Sequence, residues 1–183
     1  MDSGFRNAAA AVAVLAALVA LVVVPAVVGQ WLPEEGPLPG GPRLDIGYGA
    51  SLHPPPGARL ALVPSRPGAG EVELRVGGLT ARFTAVQTGD ASLAGFTAHA
   101  RHKLSRDEGL RAGAPEPAST DAGVRGERGT VDDDGGLTGC YAIFMAEDAG
   151  VVALITPVAS CEVVPPPVWS AVRSLTFEPA GVG

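Results

Sequence analysis

Two cysteines, Cys140 and Cys161, are the residues of this sequence best suited to form a covalent bond. An even number of cysteines in a chain outside the cytoplasm favours a disulfide. A bridge between them would close a loop of 20 residues, and the chain-entropy picture gives such a link about 3 kcal/mol. The alternative is a pair of buried free thiols. A metal site is disfavoured, because no histidine lies near either cysteine in the sequence.

The other candidates for chemistry are Ser51 with His53, and His99 with His102. Hydrolysis by a serine needs a base and an orienting group, yet the sequence has no G-x-S-x-G nucleophile elbow and no obvious partner for its histidines. His99 and His102 share a predicted helix face, but without an acidic third ligand a solvated basic face explains them better than a metal does. The sequence predicts no catalytic residue, no metal and no cofactor.

An acidic run, Asp132-Asp133-Asp134, precedes two glycines. A calcium loop would need several more spaced oxygen ligands. We therefore predict an acidic hairpin turn at this position.

The segment 8–29 has no charged, amide or hydroxyl side chain. As an α-helix it would be about 33 Å long, enough to cross a hydrocarbon core of roughly 30 Å. A buried core helix would show a polar face, which this segment lacks. A signal peptide cleaved after Gly29 is the alternative, although a typical apolar region there has only about 7–15 residues. The sequence favours a retained transmembrane helix.

The flanks of this segment predict its orientation. Arg6 precedes it and Trp31 follows it, and basic residues favour the cytoplasmic side while tryptophan favours the membrane–water boundary. We expect the N-terminus inside and the C-terminal domain outside the cell membrane, or a secreted domain if the segment is cleaved. The predicted organisation is a cytoplasmic tail (1–7), the membrane helix (8–29), a Pro/Gly linker (30–42), an extracytoplasmic domain (43–179) and a short tail (180–183).

Charge narrows the choice of partners. The chain has 13 Lys and Arg against 19 Asp and Glu, a formal net charge of −6. An acidic chain disfavours nucleic acid and adhesion to anionic lipid surfaces. The expected partners are the membrane, through the N-terminal helix, and an envelope protein.

Hydrophobic periodicity in the outer part predicts an α+β domain with one antiparallel sheet, one long helix and one short helix. The long helix is predicted over 91–110, with an apolar stripe of Leu93, Phe96, Ala100 and Leu104. A short helix follows Pro165–Pro167, with Trp169 as a core residue, and 114–122 is predicted to be a loop. The predicted strands are 44–53, 58–63, 71–76, 79–87, 123–131, 137–146, 151–158 and 175–178.

The strands 137–146 and 151–158 are apolar on both faces, which predicts a central position in the sheet. A turn over 147–150 would set Phe144 opposite Ala153 and Cys140 opposite Pro157. A bridge to Cys161 then requires the chain after Ala159 to turn back.

The order of these elements resembles the PsbP/Mog1-like α/β sandwich, and more narrowly the membrane-anchored or lipoprotein envelope proteins of that fold in actinobacteria. The residues that carry the resemblance are GGLTARFTAVQ, the helix after it, CYAIFMAEDAGVVALITPVA and VWSAVRSLTFEP. It covers about residues 43–179, although no lipobox cysteine follows the apolar segment.

The resemblance implies a binding or accessory module without a catalytic signature. We therefore expect a non-enzymatic, membrane-tethered extracytoplasmic module. The alternatives are a secreted soluble domain and a subunit of a larger envelope complex, with an envelope hydrolase the least favoured.

Overall fold

The structure is a computed structural model, and it describes residues 34–38 and 42–178. The predicted cytoplasmic tail (1–7), membrane helix (8–29) and C-terminal tail (180–183) lie outside the described residues, as do Arg6 and Trp31. Within the part that is described, no helix combines the length and the apolar character needed to cross a membrane. All elements reported below belong to the unit that begins at Glu35.

Strands dominate the described residues, and two helices accompany them. The helices are α1 (Leu93–Glu108) and α2 (Pro166–Arg173), and a 3-10 turn spans Cys161–Val163. The strands are β1 (Glu35–Gly36), β2 (Leu44–Gly47), β3 (Ala50–Leu52), β4 (Arg59–Ala61), β5 (Glu71–Val76), β6 (Leu79–Gln87), β7 (Arg111–Ala112), β8 (Glu116–Ser119), β9 (Arg125–Asp132), β10 (Thr138–Ala146), β11 (Ala149–Thr156) and β12 (Thr176–Phe177).

Nine of these strands form one sheet in the order β1-β4-β5-β6-β11-β10-β9-β7, with β8 also paired to β9. A second, small sheet has the order β12-β3-β2. Every pairing is antiparallel. The prediction of an α+β fold with antiparallel strands, one long helix and one short helix is confirmed, but the described strands form two sheets where one was expected.

The two strongest predicted strands, β10 and β11, are central in the large sheet. Their predicted register is wrong by two residues, because Phe144 pairs with Val151 and Cys140 pairs with Ile155. The turn is shorter than expected: Glu147 has a φ of 52°, and two-residue hairpin turns need a positive φ at their first position. A shift of two residues keeps each side chain on its predicted face.

Other segments also differ from the prediction, among them β1, which lies within the expected linker 30–42 and pairs with β4. Residues 44–53 were expected to form one strand, but they form the hairpin β2–β3, which turns at Tyr48 and Gly49, both with positive φ. Residues 114–122, expected to be a loop, contain β8, which pairs with β9 as an edge strand. An edge position tolerates Pro117, which has no amide hydrogen to donate.

The large sheet carries a layer on each of its faces. On one side, which we call the closed face, Phe83 and Phe144 pack with Ile46 and Leu52 of the small sheet and Val172 of α2. On the other side, the helix face, α1 packs on the central strands. Its buried residues are Phe96, Thr97, Ala100 and Leu104, whereas Leu93 is only half-buried.

Serine and proline residues fix the starts of the two helices. The Ser92 hydroxyl accepts a hydrogen bond from the Gly95 amide and caps α1. Pro166 occupies the first turn of α2, where an amide hydrogen would have no partner in the helix. Trp169 of α2 is half-buried beside the core, and the Arg128 guanidinium lies 5.5 Å from its ring centroid.

Candidate functional site

The predicted disulfide between Cys140 and Cys161 is present, with an S–S distance of 2.08 Å and a Cα–Cα distance of 5.1 Å. Cys140 is fully buried in the central strand β10. The chain after Ala159 does turn back, so that the 3-10 turn at Cys161–Val163 contacts β9 and β10. The bridge fastens the segment that leads into α2 to the middle of the large sheet.

Ser51 and His53 both lie at β3 but have separate hydrogen-bond partners. The Ser51 hydroxyl is 3.1 Å from the Thr176 hydroxyl, and Nδ1 of His53 is 2.6 Å from the Pro42 carbonyl oxygen. The His53 amide donates to the Ser174 hydroxyl. Among the described residues, no hydrogen bond joins Ser51 to His53, so they are not arranged as a nucleophile and its base.

The acidic run after β9 forms a hairpin turn, as predicted. The Leu137 amide donates to Oδ1 of Asp133 at 2.7 Å, and Arg111 pairs with Asp132 at 3.0 Å and with Asp134 at 2.8 Å. Across residues 34–38 and 42–178, no group of three or more His, Cys, Asp or Glu is placed to hold a metal ion. The carboxylates therefore act within the turn and toward Arg111.

A depression lies on the helix face, between α1 and strands β5 and β6, and we call it the α1 cleft. It has a volume of about 640 Å³. Its floor is apolar and consists of Val86, Phe96, Ala100, Leu104 and Val152. Its polar rim consists of Glu71, Arg82, Thr84, Gln87, Thr88, His99, Lys103 and Glu108.

Close packing of α1 at one end of the cleft depends on a glycine. A Cβ atom at Gly150 would lie 2.4 Å from two carbons of the Phe96 ring. Glycine at this point of β11 thus lets the ring rest on the sheet backbone and sets the depth of the floor. Thr88 lies close to Gly150, and its hydroxyl is buried without a hydrogen-bond partner among the described residues.

The charged groups of the rim differ in how fully they are paired. Arg82 is 3.4 Å from Glu73 and 3.1 Å from Glu108, so two carboxylates surround its charge. Lys103, the only lysine in the sequence, and His99 have no ion-pair partner within the described residues, and both are exposed. Glu71, which pairs in register with Thr84, is likewise exposed without an ion pair there.

The opposite flank of α1 holds a partly buried polar cluster of Arg101, Glu127 and Tyr141, which we call the Tyr141 cluster. Nε of Arg101 is 3.1 Å from Oε1 of Glu127, a residue of β9. Beside them the Tyr141 hydroxyl is buried without a hydrogen-bond partner among the described residues. Burial and then the charge of Glu127 raise the pKa of Tyr141, against the opposing effect of Arg101.

The α1 cleft and the Tyr141 cluster lie on opposite flanks of α1 because of the helical repeat. Residues 99 and 103 lie one turn apart on the same flank, and residue 101 is about 200° around the axis from each of them. His102 lies outside the α1 cleft and lines a shallower hollow with Arg101 and Arg111. The structure therefore does not bring His99 and His102 together in one site.

The α1 cleft was not predicted from the sequence, where the charges of α1 were interpreted as a solvated basic face. One signal pointed to it: Glu71, Glu73 and Arg75 alternate with apolar residues, which indicates a polar half of one sheet face. The Tyr141 cluster joins residues far apart in the chain and left no local signal.

The fold and this cleft together define an α+β protein with an antiparallel sheet and a ligand-sized depression beside its long helix. No protein-family model matches the chain, and no curated protein matches it.

Proposed function

We propose that this protein is a non-enzymatic, membrane-tethered extracytoplasmic binding module whose ligand site is the α1 cleft. The observation that carries the proposal is the cleft itself, at about 640 Å³ with an apolar floor and a polar rim. Small-molecule sites have volumes of roughly 300–1,000 Å³ and combine apolar walls with a few polar groups. A partly apolar small molecule fits that description.

The polar groups in and around the cleft favour binding over catalysis. Arg82 is already paired with two carboxylates. Its charge is therefore less available to stabilise a negative charge that develops on a substrate. The Tyr141 phenol is buried, and its pKa is raised, so it resists forming the phenolate that a base or nucleophile requires. Ser51 and His53 lie at β3, away from the cleft lining.

The proposed location rests on the apolar segment 8–29 and on the disulfide. A bond between Cys140 and Cys161 favours an oxidising compartment. We propose that the domain lies outside the cell membrane, with Arg6 and Trp31 flanking the anchor. We further propose a PsbP/Mog1-like sandwich, on the ground that a small sheet, the large sheet and α1 lie in successive layers.

N-terminal sequencing of the protein from its native host, together with alkaline carbonate extraction of membranes, tests the location. A retained anchor gives an uncleaved N-terminus and a protein that stays with the membrane pellet. A mature chain that starts at Gln30 in the soluble fraction would instead identify a secreted domain. Co-purification of one stoichiometric protein in mild detergent would favour the larger envelope complex.

Photoaffinity labelling of the full chain in a non-ionic detergent tests the cleft. The probe is a ten-carbon alcohol with a diazirine at the chain end, and mass spectrometry locates the label. We expect labelled peptides to include Phe96 and Val152. Thr84→Phe fills the cleft from β6 and should reduce this labelling several-fold.

Thr80→Phe is the matched control, because Thr80 lies on the same strand and the same face but outside the cleft lining. It should leave the labelling unchanged. Label that falls outside the cleft, or that both variants reduce equally, would overturn the proposal.

A further inference from the structure

We infer that the α1 cleft selects single-chain amphiphiles with an anionic head group, the head lying beside Lys103 and His99 and the apolar chain on the floor. This inference rests on the proposed function, because it specifies the ligand of the same cleft. It adds the charge of the head group and the orientation of the ligand.

The position of two hydrogen-bond donors on α1, the His99 ring and the Lys103 ammonium group, supports the inference. His99 and Lys103 are four residues apart on α1, a spacing that places Cβ atoms about 5–6 Å apart on one face of a helix. Both line the cleft, and neither has an ion-pair partner within the described residues. One carboxylate or phosphate can therefore accept hydrogen bonds from both side chains without displacing an existing pair.

The charge balance of the rim supports it as well. Arg82 is matched by Glu73 and Glu108. Lys103 forms no ion pair among the described residues, and the carboxylate that its charge reaches, Asp107, is already paired with Arg106. Glu71 is the unmatched carboxylate, and it lies on β5, across the cleft from α1. Its charge repels an anionic head from the sheet side, which places the head against the helix.

The floor argues for a chain on the ligand rather than a free anion. Phe96, Val86 and Val152 line the end of the cleft near Gly150, and Ala100 and Leu104 continue the apolar surface along α1. Covering this surface with hydrocarbon is favourable at about 25 cal/mol per Å². A small anion has no hydrocarbon to cover the floor and would not gain this free energy. An anionic head group alone is therefore not the ligand that the cleft favours.

The test compares three diazirine probes with the same ten-carbon chain and different heads: a carboxylate, an alcohol and a trimethylammonium group. The full chain is used in non-ionic detergent, and labelling of the cleft peptides is titrated. We expect the carboxylate to bind about tenfold more tightly than the alcohol, as a charge-assisted hydrogen bond allows. The ammonium probe should bind more weakly than the alcohol.

The variant His99→Gln/Lys103→Gln should reduce the carboxylate to the affinity of the alcohol. The matched control is His102→Gln/Arg125→Gln, which removes one histidine and one exposed arginine outside the cleft without breaking an ion pair among the described residues. This control should still bind the carboxylate probe more tightly than the alcohol probe. Glu71→Gln should strengthen carboxylate binding a few-fold, a gain that misfolding cannot imitate.

Each contrary result has a distinct meaning. Equal labelling by carboxylate and alcohol overturns the anionic head group and leaves the proposed function standing, whereas no cleft labelling by any probe overturns both. If the control variant also lost the preference for the carboxylate probe over the alcohol probe, that preference would come from the overall charge of the protein. This result would contradict the inference. Competition by millimolar acetate or inorganic phosphate would show a site for free anions and also contradict it.

Discussion

The two faces of the large sheet are covered to different extents. The closed face is fully covered and serves stability, whereas the helix face is partly open and leaves room for a ligand. On the closed face, two elements cover the sheet, and Phe83, Leu74 and Val72 have no solvent-accessible surface. On the helix face, apolar packing is confined to the central strands, and charged groups lie on both flanks of α1. The closed face holds a complete core, and the helix face has open space beside its core.

The open space follows from the widths of the elements. A helix with its side chains is about 10–12 Å across, and neighbouring strands are about 4.8 Å apart, so one helix covers roughly two strands. Here α1 packs on β10 and on the neighbouring β9 and β7, and its Phe96 ring reaches Gly150 of β11. Strands β5 and β6 extend beyond its flank, and their residues on this side are mainly polar. The α1 cleft is the consequence of one helix lying on a wide sheet.

Phenylalanine truncations should show the contrast between the faces most strongly. We expect Phe83→Ala, on the closed face, to lower the free energy of unfolding by about 4 kcal/mol, because it leaves an enclosed cavity. Phe96→Ala, at the α1 cleft, should cost about 2 kcal/mol, close to the loss of apolar transfer alone. Urea unfolding of the full chain in non-ionic detergent, followed by circular dichroism, measures both.

The contrast between the two faces is tested by the difference between the stability losses of Phe83→Ala and Phe96→Ala. Phe83 is fully buried and Phe96 is 7% exposed, so burial of the side chains alone predicts nearly equal effects. Equal losses would mean that the α1 cleft closes over the truncated residue, and would contradict the view of an open helix face.

The disulfide should have the next largest effect. Replacing both Cys140 and Cys161 by Ala removes the constraint on the closed loop and should lower the free energy of unfolding by about 3 kcal/mol. The same loss is expected when the unchanged chain unfolds in reductant. Ligand labelling at the α1 cleft should persist in the folded variant, because neither cysteine lines that cleft. A cleft that no longer binds would show that the two faces are coupled.

Local patterns in the sequence predicted most of the fold but little of the site. The limits of β5 and β6 depend on neighbouring residues, and both strands were predicted with these limits. The hairpin at Tyr48 was missed, because the alternation of Leu44, Ile46, Tyr48 and Ala50 continues through the turn while Tyr48 itself is exposed. The disulfide was predicted from its cysteines, yet the register of β10 was not, because turn length is decided by the strand twist.

The candidate site was harder to predict, because it depends on distances along the sheet and not along the chain. Glu127 and Arg101 meet only because β9 lies beside β10, beneath one flank of α1. Whether Lys103 faces solvent or a cleft depends on how many strands α1 covers. Neither property has a periodicity that a single sequence reveals.

Breaking the Arg101–Glu127 pair should have a moderate effect. Glu127→Gln leaves a partly buried guanidinium without its partner and should cost about 1–2 kcal/mol. Arg101→Met combined with Glu127→Gln should cost less than the single change, because no unpaired charge remains. Asp132→Asn, which breaks the exposed pair with Arg111, is the control and should cost less than about 1 kcal/mol. If Glu127→Gln costs no more than this control, the pair does not fasten α1.

The smallest effect at neutral pH should come from Tyr141→Phe, which removes a buried hydroxyl that has no hydrogen-bond partner among the described residues. We expect a change within about 1 kcal/mol in either direction, because the hydroxyl interacts with Arg101 but makes no hydrogen bond of good geometry among the described residues.

The effect of Tyr141→Phe should grow at high pH, because burial raises the pKa of Tyr141 in the folded protein. A raised pKa means that the native state holds this proton more tightly than the unfolded state does. The stabilisation is therefore complete below the unfolded pKa of about 10 and is lost as pH rises through the folded value. The unchanged protein should lose stability above about pH 10 more steeply than Tyr141→Phe does. Tyr48→Phe, at a tyrosine that is 49% exposed, should retain the steep loss, and parallel curves for all three proteins would show that the helix face opens before Tyr141 ionises.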